Sequence, residues 1–184
     1  EEKELLLKEV HHRVKNNLAV VAALLSLQAR HCQDGAAREA LAQSQARVRT
    51  ISAFHERAYQ AKHLGRIPLA QYLRSVVSPL VQTYGFSAAR ICFEGDAEVV
   101  LGVDQAIPCG LVVNELVANA LKHAVGLGQL TLSLLPTQLD GAPALNVAVS
   151  DDGVGLPADF TIDDSRSLGM QIVRTLSAQL GAEL

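Results

Sequence analysis

The sequence predicts an α+β chain: an N-terminal antiparallel helical hairpin over residues 1–62, half of a dimeric four-helix bundle, followed by an α/β sandwich over residues 63–184. Three observations carry this. Residues 1–62 hold no Pro and a single Gly, Gly35, which sits at the one break in two long helical runs. From His63-Leu64-Gly65-Arg66-Ile67-Pro68 onward the pattern changes to short alternating strands interleaved with helices. The apolar stripe of the first run is too wide for one hairpin to cover, so a second copy is expected to pair with it.

The totals bound the rest. At 184 residues, 49% apolar and 19% charged, the chain can bury one ordinary core or two small ones. No run reaches the ~20 apolar residues that a membrane helix needs, so no membrane contact is expected of this segment. Cys32, Cys92 and Cys109 are odd in number and lack close pairing, which excludes a disulfide framework and fits a cytoplasmic protein. A net charge of −3 argues against direct nucleic-acid binding.

Element by element, helices are expected over roughly 2–31 and 36–62, with the break at His31–Gly35, and the short connection forces them antiparallel. Pro68 then falls in the first turn of a helix over 68–84, which Gly85 ends. Strands are expected at 90–95, 98–102, 129–135 and 144–150, with the Asp140-Gly141 turn between the last two. Asp104 is a candidate N-cap for a helix over 104–124, and Ser167 for one over 168–180. The chain begins within a helical pattern and stops where a new strand is expected, and so reads as part of something longer.

Within Glu9–Leu18, two histidines and two asparagines adjoin. With Val14 as the centre of the stripe formed with Leu7 and Val21, and about 100° per residue, His11 lies about 60° away and His12 about 160° away. His11 is therefore expected at the packed seam. His12 should face solvent beside Lys8, Glu9, Lys15 and Asn16, and Asn17 should turn toward the seam. An exposed imidazole is a competent nucleophile near neutral pH, because an ordinary histidine pKa of ~6.5 leaves much of it neutral.

Three further segments point to phosphate. In Val112–Ala124, Glu115, Asn119 and His123 recur every four residues and stack along one helix face, with Asn114 and Lys122 adding polarity. Such groups are costly to bury without partners, and an Asn oxygen with water suits Mg²⁺. In Ser150–Pro157, Asp151 ends a strand, and Gly153 and Gly155 allow close backbone approach to a flat ligand. In Ser167–Gly181, a capped helix start with Gly169 in its first turn is a natural anion site. Each is an ordinary feature alone; their order on one small domain is not.

Together these residues resemble the catalytic core of a sensor histidine kinase. His11–Leu18 resembles the H-box of the HisKA_2-type subgroup, related to the HWE kinases, and His55–Gln60 is similar to the segment closing its second helix. Asn114–Ala124, Asp151–Pro157 and Ser167–Gly181 resemble the N, G1 and G2 boxes of the GHKL-type ATP-binding domain shared with gyrase and MutL. The resemblance implies that His12 takes the γ-phosphoryl group of ATP, assisted by Asn16, that Glu115 polarises or deprotonates the attacking group, and that Asn119 holds Mg²⁺. It places Lys122 and His123 near the phosphates, has Asp151 read adenine, and lines the nucleotide site with Gly153, Gly155, Ser167, Leu168 and Gly169. It also implies a homodimer, an upstream sensory domain and a response regulator receiver domain as partner. Two departures stand out. Arg13 occupies the place where common histidine kinases carry an acid, and the stretch 158–166 makes a short lid in which Phe160 stands for part of the F-box. A non-catalytic ATP-binding dimeric signalling scaffold and a GHKL ATPase are the rival readings.

Overall fold

The computed structural model describes residues 2–60, 66–87, 90–95, 98–123, 128–157, 160–163, 165 and 167–184, with the side chains of 2–4, 8 and 58–60 left out. Helix α1 (Glu2–His31) and helix α2 (Gly35–Gln60) form the expected hairpin. The break is only Cys32-Gln33-Asp34; the Asp34 carboxylate accepts the Ala36 N–H at 3.1 Å and starts α2. The end of the helix expected at 62 lies outside the described residues.

Seam and stripe differ in one respect from expectation. The side of α1 that meets α2 carries His11, Val14, Leu18 and Ala22, with Ala22 buried, whereas Val10, Val21 and Leu24 stay exposed. The packed arc is therefore rotated toward His11, leaving half of the apolar stripe uncovered. Asn17 falls on that uncovered side and is exposed, which corrects its placement at the seam. Periodicity shows that an arc is apolar; it does not show which part of a wide arc meets the partner helix.

Strand β1 (Arg66–Pro68), which propensity alone did not reveal, pairs antiparallel with β3 (Val100–Gly102), which falls within the strand expected over 98–102. Pro68 ends β1 and precedes α3 (Leu69–Thr83) rather than opening its first turn, because its backbone is extended, at φ −63° and ψ 120°. Gly85, at φ 65°, follows the C-cap Tyr84 as expected. Strand β2 (Ile91–Glu94) runs parallel to β4 (Leu130–Leu139), and β4 turns into β5 (Ala142–Asp151) to complete a three-stranded sheet ordered β2-β4-β5. The turn is made by Asp140 at φ 51° and Gly141 at φ 78°, left-handed backbone that an Asp-Gly pair tolerates.

Helix α4 (Val103–His123) is central: it packs against α2, α3, β5 and the closing helix α5 (Leu168–Leu180). It starts one residue before Asp104, which lies in its first turn instead of capping it. Leu130, Leu132 and Leu134 point from β4 into a core completed by Tyr72, Leu73, Val76 and Val77 of α3 and Val113 and Val117 of α4. Phe54 of α2 joins this same core with no exposed surface. The second helix of the hairpin is thus anchored in the sandwich. At the crossing of α3 and α4, the Tyr72 ring occupies the space where a Cβ on residue 110 would stand, so Gly110 is what lets the two helices approach.

Candidate nucleotide site and phosphoacceptor helix

Helix α4 builds the floor of the site. A cavity of about 1130 Å³ opens between α2, α3, α4 and the loops after β5, and Glu115, Asn119, Lys122 and His123 all line it. The four-residue spacing does bring these side chains to one wall. Asn114 borders the cavity too but is only 2% exposed: its Oδ1 accepts the Thr50 hydroxyl of α2 at 3.2 Å and its Nδ2 donates to Glu115 Oε1 at 3.2 Å.

The opposite wall comes from β5 and α5. Asp151, Val154, Gly155, Leu156, Phe160, Ser167, Leu168 and Gly169 line the cavity; Gly153 does not, and its N–H is held by the Asp151 carboxylate at 3.0 Å. Gly155 has φ 75° with open space around it, the geometry a tight turn against a ligand requires. Val154 and Leu156 are each 74% exposed and Leu168 is 59% exposed, so three largely open apolar side chains stand at the cavity. Ser167 caps α5, accepting the Met170 N–H at 3.3 Å. The lid segment is tied back to α5 by Arg174, whose Nη1 donates to the carbonyls of Ile162 at 2.6 Å and Asp163 at 2.5 Å.

Three neighbours of predicted residues escaped sequence reading. Asp152, beside Asp151, accepts the backbone N–H groups of Gln129 (2.8 Å) and Gly128 (2.7 Å), and these bonds hold its carboxyl below the usual range. It splices the glycine turn to the start of β4. Arg47 of α2 grips Glu115 through two parallel bonds, Nε to Oε1 at 2.8 Å and Nη2 to Oε2 at 3.0 Å, in a pair whose side chains are 14% and 6% exposed. Glu39 of the same helix pairs with Lys122 at 2.5 Å. A Cβ on Gly169 would come within 2.8 Å of Glu115 Oε2, so the small residue at the start of α5 leaves room for that carboxylate.

On α1, His12 is exposed and its Nδ1 lies 3.4 Å from the Asn16 amide one turn on, so the expected pair stands on one face. His12 is not among the residues lining the cavity. His11 sits half-buried at the seam, its Nδ1 bonded to Nδ1 of His55 at 2.8 Å, next to the Lys15–Glu56 ion pair. Such a bond needs one neutral nitrogen as acceptor. Burial lowers the pKa of both imidazoles, and the charge of His11 lowers that of His55 further. The unfolded chain takes up these protons first, near pH 6.5 for an ordinary histidine, so the pair's contribution is full above about that pH and fades as pH falls toward the folded values. Thermal unfolding should show a midpoint that drops between about pH 7 and 5, with a flatter profile in the His11→Gln/His55→Gln double variant; equal slopes would refute this origin.

For a divalent cation the fit is narrow but real. Among the described residues no group of three or more His, Cys, Asp or Glu side chains could hold a metal. Asn119, on the cavity wall, offers one neutral oxygen, which matches a hydrated Mg²⁺ that takes its remaining ligands from phosphate and water.

A two-layer domain with a nucleotide-sized cavity, preceded by a hairpin that presents an exposed histidine, defines the class of histidine kinase catalytic cores. The comparisons agree. The HisKA_2 histidine kinase family matches residues 9–84. Sensor histidine kinase PdtaS of Mycobacterium tuberculosis is 40% identical over 99% of this chain, and the blue-light-activated histidine kinase 2 of Erythrobacter litoralis is 33% identical over 97%. The chain spans 36% and 52% of the length of those two relatives. The solved histidine kinase domain of an Erythrobacter litoralis blue-light activated kinase superposes on all of it with a TM-score of 0.63 at 31% identity, and the match covers 87% of that domain. The chain belongs to the histidine kinases of HisKA_2 type.

Proposed function

We propose that this chain is the ATP-dependent, autophosphorylating core of a cytoplasmic two-component sensor kinase, in which residues 1–62 dimerise and carry the phosphoacceptor and residues 63–184 bind ATP. The observation that carries the reading is the single cavity that collects Glu115, Asn119, Lys122, His123, Asp151, Gly155 and the start of α5, residues from three separated segments. Asp151, with Val154, Leu156 and Leu168, suits an adenine, whose amino group needs an acceptor and whose faces need apolar cover. Asn119 would hold Mg²⁺, which when bound offsets phosphate charge, and Lys122 and His123 lie where phosphates would extend.

In the reaction, the two domains close so that a nitrogen of His12 lies in line with the γ-phosphate. Its lone pair forms the N–P bond as the bond to the β,γ-bridging oxygen breaks and ADP leaves. The proton lost from the other imidazole nitrogen passes to Glu115, and Asn16 steadies the ring. The phosphoryl group then moves to an aspartate of a response regulator receiver domain. The exposed half of the α1 stripe, Leu6, Val10, Val21 and Leu24, fits burial against a second copy. An upstream sensory domain would act through α1. Among the described residues no helix is long and apolar enough to cross a membrane.

Incubation with γ-labelled ATP should give a phosphoprotein that is acid-labile and base-stable, and Asn119→Ala should abolish both labelling and Mg²⁺-dependent nucleotide binding. Release of free phosphate without any labelled protein would instead make the chain an ATPase; nucleotide binding with neither would make it a scaffold.

A further inference from the structure

Two ion pairs join α2 to α4 across the edge of the cavity: Glu39 with Lys122, and Arg47 with Glu115. Their anchor points are eight residues apart on α2 and seven apart on α4, about 12 and 10.5 Å of helix at 1.5 Å per residue. The order is inverted, so α2 lies antiparallel on α4 with acid opposite base at both rungs. The pairing takes up one carboxylate and one ammonium of the nucleotide site.

We propose that this ladder is a latch by which the hairpin masks the phosphate end of the site, with Arg47 holding Glu115 out of the reaction until the latch opens. The inference rests on the roles proposed above for Glu115 and Lys122. While docked, both Glu115 oxygens are engaged by Arg47, and Oε1 also accepts from Asn114, so the carboxylate's lone pairs are turned to its own chain rather than to an incoming group. Lys122 is likewise neutralised by Glu39 before any phosphate arrives.

The rest of α2 supplies the pivot. Toward Gln60 it is pinned by Phe54 in the core, by Thr50, whose hydroxyl donates to Asn114 and whose carbonyl accepts from Tyr72 at 3.1 Å, and by Arg57, which donates to Ser75 at 3.2 Å. The cavity runs along α2 from residue 39 to residue 56, and toward Gly35 the Glu39–Lys122 pair is the outermost of the two rungs. Rotation about the pinned half would open both rungs without emptying the core. Glu115, once released, still has the start of α5 beside it, where backbone N–H groups favour an anion.

The test compares ATP with adenosine, which lacks phosphate. Glu39→Gln should tighten ATP binding severalfold and leave adenosine binding unchanged; an equal effect on both ligands, or on neither, overturns the latch. Arg47→Gln should raise the autophosphorylation rate at saturating ATP, with Arg47→Lys between it and the native chain, and a lowered rate in Arg47→Gln overturns the masking role. Should Arg47→Gln fail to fold, the exposed Glu39 site alone decides. Glu115→Gln separates the two ideas. Loss of labelling with tighter packing lost, seen as a larger radius of gyration, supports both; the same expansion with labelling intact removes Glu115 as proton acceptor and leaves the latch standing.

Discussion

Replacing His12 with Gln should abolish acid-labile phosphorylation, and replacing His11 with Gln should leave it in place. The two rings are adjacent in sequence but not in environment. His12 is exposed beside Asn16, on the face of α1 away from the partner helix, where an in-line approach of a γ-phosphate is sterically open. His11 is turned into the seam with Nδ1 committed to His55 and its ring 5.1 Å from that imidazole. To attack phosphorus it would have to give up that bond and leave the packed side of the helix. Loss of a required nucleophile leaves no route to the phosphohistidine, so the expected effect is complete rather than partial. Labelling of the two variants settles the assignment, because both rings fall on one tryptic peptide, residues 9–13: label retained in His12→Gln, or lost only in His11→Gln, refutes it. Since His11→Gln removes one half of the His11–His55 bond, its rate is best read at pH above 7 and well below the unfolding midpoint.

Most of the architecture was legible because it is written in local patterns. The two long helices follow from the absence of Pro and the lone Gly35, the β4–β5 hairpin from Asp140-Gly141 between alternating runs, and the start of α5 from Ser167. The cavity residues were legible for the same reason: four-residue spacing on α4 and a glycine turn after a strand place side chains on predictable walls. What escaped reading is pairing between distant segments. Nothing in the run around Arg47 distinguishes it from Arg38 or Arg49, and only the docking of α2 on α4 selects it to meet Glu115. The same holds for His55 opposite His11 and for Thr50 opposite Asn114. Asp152 was overshadowed by Asp151 because which of two adjacent carboxylates points back toward β4 depends on the turn's path, and β1, at three residues, is too short for any period to show.

Truncating Phe54 to Ala should cost about 3–5 kcal/mol, the usual range for emptying a fully buried aromatic site. The ring has no exposed surface and meets Tyr72 edge-on, with centroids 5.9 Å apart and planes at 87°. That geometry favours the aromatic quadrupoles as well as removing apolar area from water. Against a typical total of about 5–15 kcal/mol the loss is large, and in a domain of this size it corresponds to a fall in melting temperature of roughly 6–20 °C. Phe54→Leu keeps most of the volume and should cost under about 1.5 kcal/mol. The comparison with the ion pairs is what gives the substitution meaning. An exposed pair such as Glu39–Lys122 adds little to stability, about 0–1 kcal/mol, so Glu39→Gln should barely move the melting temperature. Phe54 holds α2 to the sandwich by packing, while the rung nearest Gly35, Glu39–Lys122, holds it by an exposed charge pair alone. A helix pinned firmly at one end and weakly at the other turns about the firm end, so calorimetry that found Phe54→Ala as harmless as Glu39→Gln would remove the pivot on which that motion depends.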